Sequence, residues 1–171
     1  MTRSEISIRS MEERDMERLW IWLNRDHMRH HYQPEPIPYE EVVSEYLPRL
    51  KQDHPTFCHI VLLDGQPFGY IQSYRITDYK EFAKDIGVFD GVAVDLFIGD
   101  EQFIGQGLGK QMLHAYVSDI LPRLFPDQER CYIAHEKTNI PAIRCSLASG
   151  FVRLRDVIEG GKPTELLFQK L

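Results

Sequence analysis

Val92-Ala-Val-Asp95-Leu-Phe97-Ile98-Gly99, then Asp100-Glu-Gln-Phe-Ile104-Gly105-Gln106-Gly107-Leu108-Gly109-Lys110, then Gln111-Met-Leu113-His-Ala-Tyr-Val117-Ser-Asp-Ile120-Leu121 is the stretch on which the fold turns. Its first part is crowded with β-branched and aromatic residues and reads as a buried strand. In its last part Leu113, Val117 and Ile120 recur at helical spacing. A glycine-rich loop joins the two. Glycines let a backbone approach an anion closely, the first turn of the following helix offers N–H groups with partial positive charge, and Lys110 adds a full one. The spacing therefore predicts a phosphate site at Gly105–Lys110.

Two familiar phosphate loops fail on spacing. A Walker loop needs four residues between its first glycine and Gly-Lys, followed by Ser or Thr, whereas three residues separate Gly105 from Gly109 and Gln111 follows Lys110. A dinucleotide fingerprint needs Gly-x-Gly-x-x-Gly directly after a strand, and here the pattern is Gly-x-Gly-x-Gly, set off by polar residues.

The length of 171 residues suits one domain, expected over 1–171, and 43% hydrophobic with 27% charged residues is ordinary for a globular protein. No apolar run approaches the roughly 20 residues that span a bilayer, and charge is mixed into the N-terminal Ile6 and Ile8 segment. Cys58, Cys131 and Cys145 are odd in number and lack metal-ligand spacing, which predicts buried thiols in a reducing, cytoplasmic setting and no metal. His27 and His31 share a face only if a helix forms there, and no third ligand is evident. A net charge of −6 argues against nucleic acid and suits a cationic substrate.

Outward from the central stretch, Ile6 and Ile8 predict a short strand, and Met16, Leu19, Trp20 and Leu23 a first helix. Pro34, Pro36 and Pro38 form a turn before a second helix carrying Val43, Tyr46, Leu47 and Leu50. Phe57 to Leu63 and Phe68 to Arg75, joined by Asp64-Gly65, predict a hairpin. Thr77 to Asp90 is polar and reads as a long loop. After the central helix, Cys131 to Ala134 predicts a strand. Asn139 caps a helix with Pro141 in its first turn and Gly150 at its end. Phe151 to Val157 and Thr164 to Gln169 close the chain as a second hairpin.

Ile104-Gly-Gln-Gly-Leu-Gly109 resembles the acyl-CoA loop of the GNAT (Gcn5-related) N-acetyltransferases, Gln/Arg-x-x-Gly-x-Gly/Ala, with Ile104 in place of the usual first residue. Asn139-Ile-Pro-Ala142-Ile-Arg144-Cys145-Ser146-Leu-Ala-Ser-Gly150-Phe151 resembles that family's second signature and lies one strand later, as the family requires. The element order is also the family's. Trp22-Leu-Asn-Arg25, Gly69-Tyr-Ile-Gln72-Ser-Tyr74 and Val94-Asp95 add a similarity to the aminoglycoside 6'-N-acetyltransferases, a branch that tends to carry an aliphatic residue at Ile104.

The resemblance implies an α/β (α+β) fold with a central mixed, mostly antiparallel sheet of about seven strands, a splayed pair that holds acetyl-CoA, and helices on both faces. It implies acetyl-CoA as cosubstrate, a small-molecule amine as partner, no membrane, and a monomer or homodimer. It places the diphosphate on Gly105, Gln106, Gly107, Leu108, Gly109 and Lys110, the thioester carbonyl near Phe97 and Ile98, and a further cofactor contact at Asn139. Two departures stand out. Ser146 occupies the position of a tyrosine that protonates the departing thiolate, and His135 that of an acidic residue facing the substrate.

Acetyl transfer to an amine needs the nitrogen neutral. An alkyl ammonium titrates near ~10.4 and a thiol near ~8.5, so a proton path from the amine is the principal demand. A carboxylate inside an apolar strand is costly to bury without a task, which makes Asp95 the candidate to orient the cation and pass its proton on, with Ser146 a candidate donor to sulfur. Trp22, Gln72, Tyr74, Asp90 and His135 are the candidate acceptor-binding residues. The resemblance implies an aminoglycoside-like acceptor, attacked directly without a covalent enzyme intermediate. Acylation of a lysine-derived siderophore precursor and a silent acyl-CoA-binding module stay open at this stage.

Overall fold

The computed structural model describes residues 4–171. Seven strands are present among them: β1 (Ile6–Ser10), β2 (Phe57–Leu63), β3 (Gln66–Arg75), β4 (Val92–Ile98), β5 (Arg130–Glu136), β6 (Val152–Glu159) and β7 (Lys162–Lys170). They are hydrogen-bonded in the order β1-β2-β3-β4-β5-β7-β6. β4 and β5 run parallel, whereas β1 with β2, β5 with β7 and β6 with β7 run antiparallel. The helices are α1 (Met16–Leu23), α2 (Tyr39–Tyr46), α3 (Lys80–Ile86), α4 (Leu108–Ala115), α5 (Leu121–Leu124) and α6 (Ile140–Ala148), with a π-helical turn at Tyr116–Ile120 between α4 and α5.

The described chain forms two compact units. Met1–Gln72 with Leu96–Gln106 make the first, and Ser73–Asp95 with Gly107–Leu171 the second. In the first, Leu19, Trp22 and Leu23 of α1 pack with Val42, Tyr46, Ile60, Tyr70 and Phe97. Trp20, expected on the buried stripe of α1, is 36% exposed, and Trp22 is buried instead. Trp20 still turns its Nε1 to the Ile37 carbonyl at 3.1 Å. Asp15, wholly buried before α1, is gripped by both terminal nitrogens of Arg9 at 2.7 and 2.8 Å and accepts from the Glu12 amide. Burial alone would raise its pKa, but Arg9, the Glu12 N–H and Arg18 together hold it below the usual carboxylate range.

In the second unit, Ala83 and Ile86 of α3 pack on Tyr74, Ala93, Tyr132 and Leu166. This helix corrects the expected loop over Thr77 to Asp90. Its seven residues include four charges, too few apolar positions to register as periodic, yet Ala83 and Ile86 are both buried and Gly87 ends it at φ +67°.

The punctuation read from sequence is otherwise where it was expected. Asp64 and Gly65 both take positive φ in the first hairpin turn, and Gly160 and Gly161 do so in the second. Asn139 Oδ1 accepts from the Ala142 amide, and Gly150 closes the helix at φ +107°.

Candidate active site

The pairing between β4 and β5 is short. Val92 lies opposite Cys131 and Ala93 opposite Tyr132, while β5 continues to pair with β7 as far as Glu136 opposite Thr164. Beyond Tyr132 the β4-facing edge of β5 is therefore released, and backbone groups on such an edge can pair with an extended ligand.

Side chains alternate along a strand, so Asp95 shares the face of Ala93, the face covered by α3. The Tyr74 hydroxyl hydrogen-bonds Asp95; burial first, then the charge of Asp95 and this bond, push the Tyr74 pKa well up, so the phenol stays protonated and donates. Glu159 of β6 is raised above the usual carboxylate range by burial and by the nearby charges of Asp95, Asp85 and Glu136, with Lys162 opposing. Three carboxylates from α3, β4 and β5 thus act on Glu159 of β6, and Lys162 Nζ lies 2.8 Å from Glu136 Oε1. A carboxylate set of this kind welcomes a ligand with several ammonium groups.

The glycine loop turns at two of its glycines. Gly105 and Gly107 take φ of +77° and +74°, and a Cβ at either would meet nothing within 4 Å. Gly107 precedes α4, and the first turn of that helix holds no acidic side chain. Its leading N–H groups have no partner within the helix and are suited to a diphosphate, which Lys110, exposed beside them, would help neutralise.

An acetyltransferase (GNAT) domain model matches residues 11–158. The chain belongs to the GNAT acetyltransferase family. It is thus an acetyl-CoA-dependent N-acetyltransferase. Aminoglycoside N(6')-acetyltransferase type 1 of Klebsiella pneumoniae is 29% identical over 176 residues, covering 98% of this chain and 84% of that protein. The crystal structure of aminoglycoside acetyltransferase AAC(6')-Ib with coenzyme A is 26% identical with a TM-score of 0.80, over 97% of this chain and 95% of the other. The structure of AAC(6')-Ib with paromomycin and acetyl-CoA matches at the same identity and TM-score, over 96% and 93%.

Within the acetyltransferase, the remaining candidate residues fall in several places. Trp22 is 4% exposed and its indole lies on Gly99 and edge-on to Phe97, so it is a core side chain. Gln72 Oε1 accepts from the Tyr70 hydroxyl and from Arg49, both at 2.6 Å, and that Arg49 guanidinium lies 4.4 Å above the Tyr46 ring. Asp90 bonds its own neighbour, the Gly91 amide, at 2.8 Å. It lies before the start of β4 at Val92, and it is absent from the carboxylates that act on Glu159. His135 also departs from its expected place. By alternation it points away from Asp95, and its Nε2 lies 2.8 Å from Ser146 Oγ. Glu136, one residue on, takes the acidic place on the α3-covered face.

No local pattern marks Glu136, Glu159 and Asp85, which come together only through sheet pairing and α3. Nor does any local pattern mark His27, whose Nε2 lies 2.8 Å from the Ile98 carbonyl. A carbonyl only accepts, so that nitrogen carries the proton, and His27 ties the end of β4 to the segment after α1. No group of three or more potential metal ligands occurs among the described residues. No described helix is long and apolar enough to cross a membrane. Burial pushes the thiols of Cys58, Cys131 and Cys145 up, which removes a ready thiolate nucleophile.

Burial also pushes His59 and His135 down to about 4. Free histidine titrates near ~6.5, so between those values the unfolded chain takes up protons that the folded chain refuses. Stability is expected to fall as pH drops through that window and to be insensitive to these residues above it. Glu159, whose pKa is raised, works in the opposite sense and softens the slope. Urea midpoints from about pH 7.5 to about pH 5 check this: the decline should be shallower in His59→Gln and His135→Gln, and a flat wild-type profile would contradict it.

Proposed function

We propose that this acetyltransferase moves the acetyl group of acetyl-CoA to a primary amine of a small, multiply charged, aminoglycoside-like acceptor, in a single domain working in the cytoplasm. The observation that carries the reading is the carboxylate set in which Asp95, Asp85 and Glu136 act on Glu159 and Tyr74 bonds Asp95, beside the strands that part beyond Ala93 and Tyr132. One ammonium of the acceptor sits on Asp95 while the others are held by Glu159 and Glu136. The similarity to enzymes named for aminoglycoside 6'-acetylation supports the same acceptor class.

Acetyl-CoA, when bound, supplies the activated acetyl group. The diphosphate is assigned to the backbone of Gly105, Gln106, Gly107, Leu108, Gly109 and Lys110, and pantetheine to the released edge of β5. Phe97 and Ile98 continue β4 and are assigned the thioester carbonyl, whose developing negative charge backbone N–H donors would stabilise. Asn139 is assigned a contact at the start of α6. Asp95, held by the Tyr74 hydroxyl, orients the ammonium and takes its proton toward water, which leaves the nitrogen free to attack. With the thiols pushed up in pKa, transfer is direct.

Thiol release from acetyl-CoA, followed with a panel of kanamycin-type aminoglycosides, linear polyamines and hydroxylysine, tests this. Release that depends on the acceptor and is fastest with aminoglycosides is expected. No acceptor-dependent release with any amine, despite measurable CoA binding, would contradict it.

A further inference from the structure

His27 sits in the turn Asp26–Met28 that follows α1, and its Nε2 lies 2.8 Å from the carbonyl oxygen of Ile98, the last residue of β4. Its side chain is mostly buried. Nδ1 is buried too and has no hydrogen-bond partner among the described residues, with Glu101 Oε1 3.6 Å away. The bond to Ile98 therefore orients the ring.

The backbone determines what that bond fixes. The Gly99 amide donates to the Phe68 carbonyl of β3 at 2.8 Å, and a trans peptide turns its N–H and C=O opposite ways, so the Ile98 carbonyl faces away from β3. In an extended residue N–H and C=O point to the same side. The Ile98 N–H thus shares the edge that His27 caps, whereas the Phe97 N–H, one residue back, turns toward β3. Of the two residues assigned to the thioester carbonyl, only Ile98 offers a donor on the edge away from β3.

The Ile98–Gly99 peptide is held at both ends, by Phe68 and by His27. The turn that carries His27 is tied to α1 in its own right: the Met28 amide donates to the Arg25 carbonyl and the Arg25 amide to the Trp22 carbonyl, each at 3.0 Å.

We infer that His27 is a positioning residue for acetyl transfer: by holding the Ile98 carbonyl it fixes the direction of the Ile98 N–H, the donor that meets the developing oxyanion of the thioester. The inference rests on the acetyl-transfer reading and on the place given to Phe97 and Ile98 within it. As the amine nitrogen bonds to the carbonyl carbon, the π pair moves onto oxygen, where the Ile98 N–H is already aimed and needs no reorganisation. That pair re-forms the carbonyl as the C–S bond breaks and its electrons leave on sulfur. His27 exchanges no proton in these steps.

The test needs no acceptor. The thioester C=O stretch of acetyl-CoA labelled with ¹³C at the acetyl carbonyl is read by difference infrared spectroscopy, free and bound to wild type, His27→Ala, His27→Asn and His27→Gln. In wild type the bound band should lie below its solution position, as a hydrogen bond to the oxygen requires. Ala and Asn should return it most of the way, because an Asn amide reaches only as far as Nδ1. Gln, whose amide nitrogen reaches as far as Nε2, should keep it down. Acetyl-CoA affinity should change by less than about threefold throughout. With kanamycin as acceptor, kcat should fall about 10-fold in the Ala and Asn variants and recover in Gln. Asn and Gln differ in reach and not in chemistry, so their comparison decides even where the Ala variant does not fold. A band that stays down in the Asn variant, or a Gln variant no better than Asn, would overturn the role of His27. A wild-type band at the solution position would overturn the Ile98 assignment and this inference with it, and failure to bind acetyl-CoA would overturn the acetyl-transfer reading as well. Bands that shift as stated without turnover of kanamycin would strike the acceptor assignment alone.

Discussion

Asp95→Asn is expected to lower turnover about 100-fold or more while leaving acetyl-CoA affinity nearly intact. Asparagine keeps the size of the side chain and can still accept from the Tyr74 hydroxyl, so the packing of Tyr74 against Tyr79 and Phe82 should survive. What it removes is the charge that orients an ammonium and the oxygen that takes its proton. At neutral pH an amine titrating near ~10.4 is protonated in all but about one molecule in 10³, so losing the proton path costs turnover rather than cofactor binding. Raising the pH supplies neutral amine from solution, and the variant should recover part of its rate there. Steady-state thiol release gives the turnover, and calorimetric titration gives the acetyl-CoA affinity. Turnover unchanged from wild type would remove Asp95 from the chemistry.

The largest stability loss is expected from Gly99→Ala. Gly99 has an ordinary backbone conformation, so the difficulty is space: a Cβ there would lie 2.1, 2.3 and 2.5 Å from Cδ2, Cγ and Cε3 of Trp22. The backbone is pinned, because the Gly99 amide donates to the Phe68 carbonyl at 2.8 Å. The indole is pinned as well, buried edge-on to Phe97, whose ring stacks on Tyr70 at 5.2 Å. A rigid ring against a fixed backbone leaves no soft direction, and a loss of about 3 kcal/mol or more follows. For a chain of this length that is a fall in Tm of roughly 6–12 °C. Trp22→Leu in the same chain should relieve the collision, so the double variant should be more stable than the sum of the single effects implies. Wild-type stability for Gly99→Ala would mean that the indole does not lie where it is described.

Much of this architecture could be read from the chain because it rests on local rules. The Asp64-Gly65 turn, the Asn139–Pro141–Gly150 punctuation and the glycine loop each depend on neighbours in sequence, and each is formed as expected. Phe57 to Leu63 was legible as a strand because its apolar run is continuous, and its middle four residues are buried.

The placements that could not be read from the chain depend on facts that are not local. His135 and Glu136 are adjacent at the end of β5, and a shift of one residue exchanges the faces they look into. Pairing with β7 fixes that register, opposite Glu165 and Thr164 respectively, and a lone sequence does not contain it. Asp95 and Asp85 act on Glu159 from a strand and a helix distant in the chain. Trp22 is a candidate for the acceptor pocket only while the approach of Gly99 is unknown.

A crystal structure with acetyl-CoA bound tests the central claim most directly. The account predicts density for the diphosphate against the backbone N–H groups of Gly107 to Lys110, and an extended pantetheine paired with β5 beyond Tyr132, ending at the Asp95 level of β4. Cofactor density elsewhere on the protein, or a β5 edge closed onto β4 along its whole length, would contradict it.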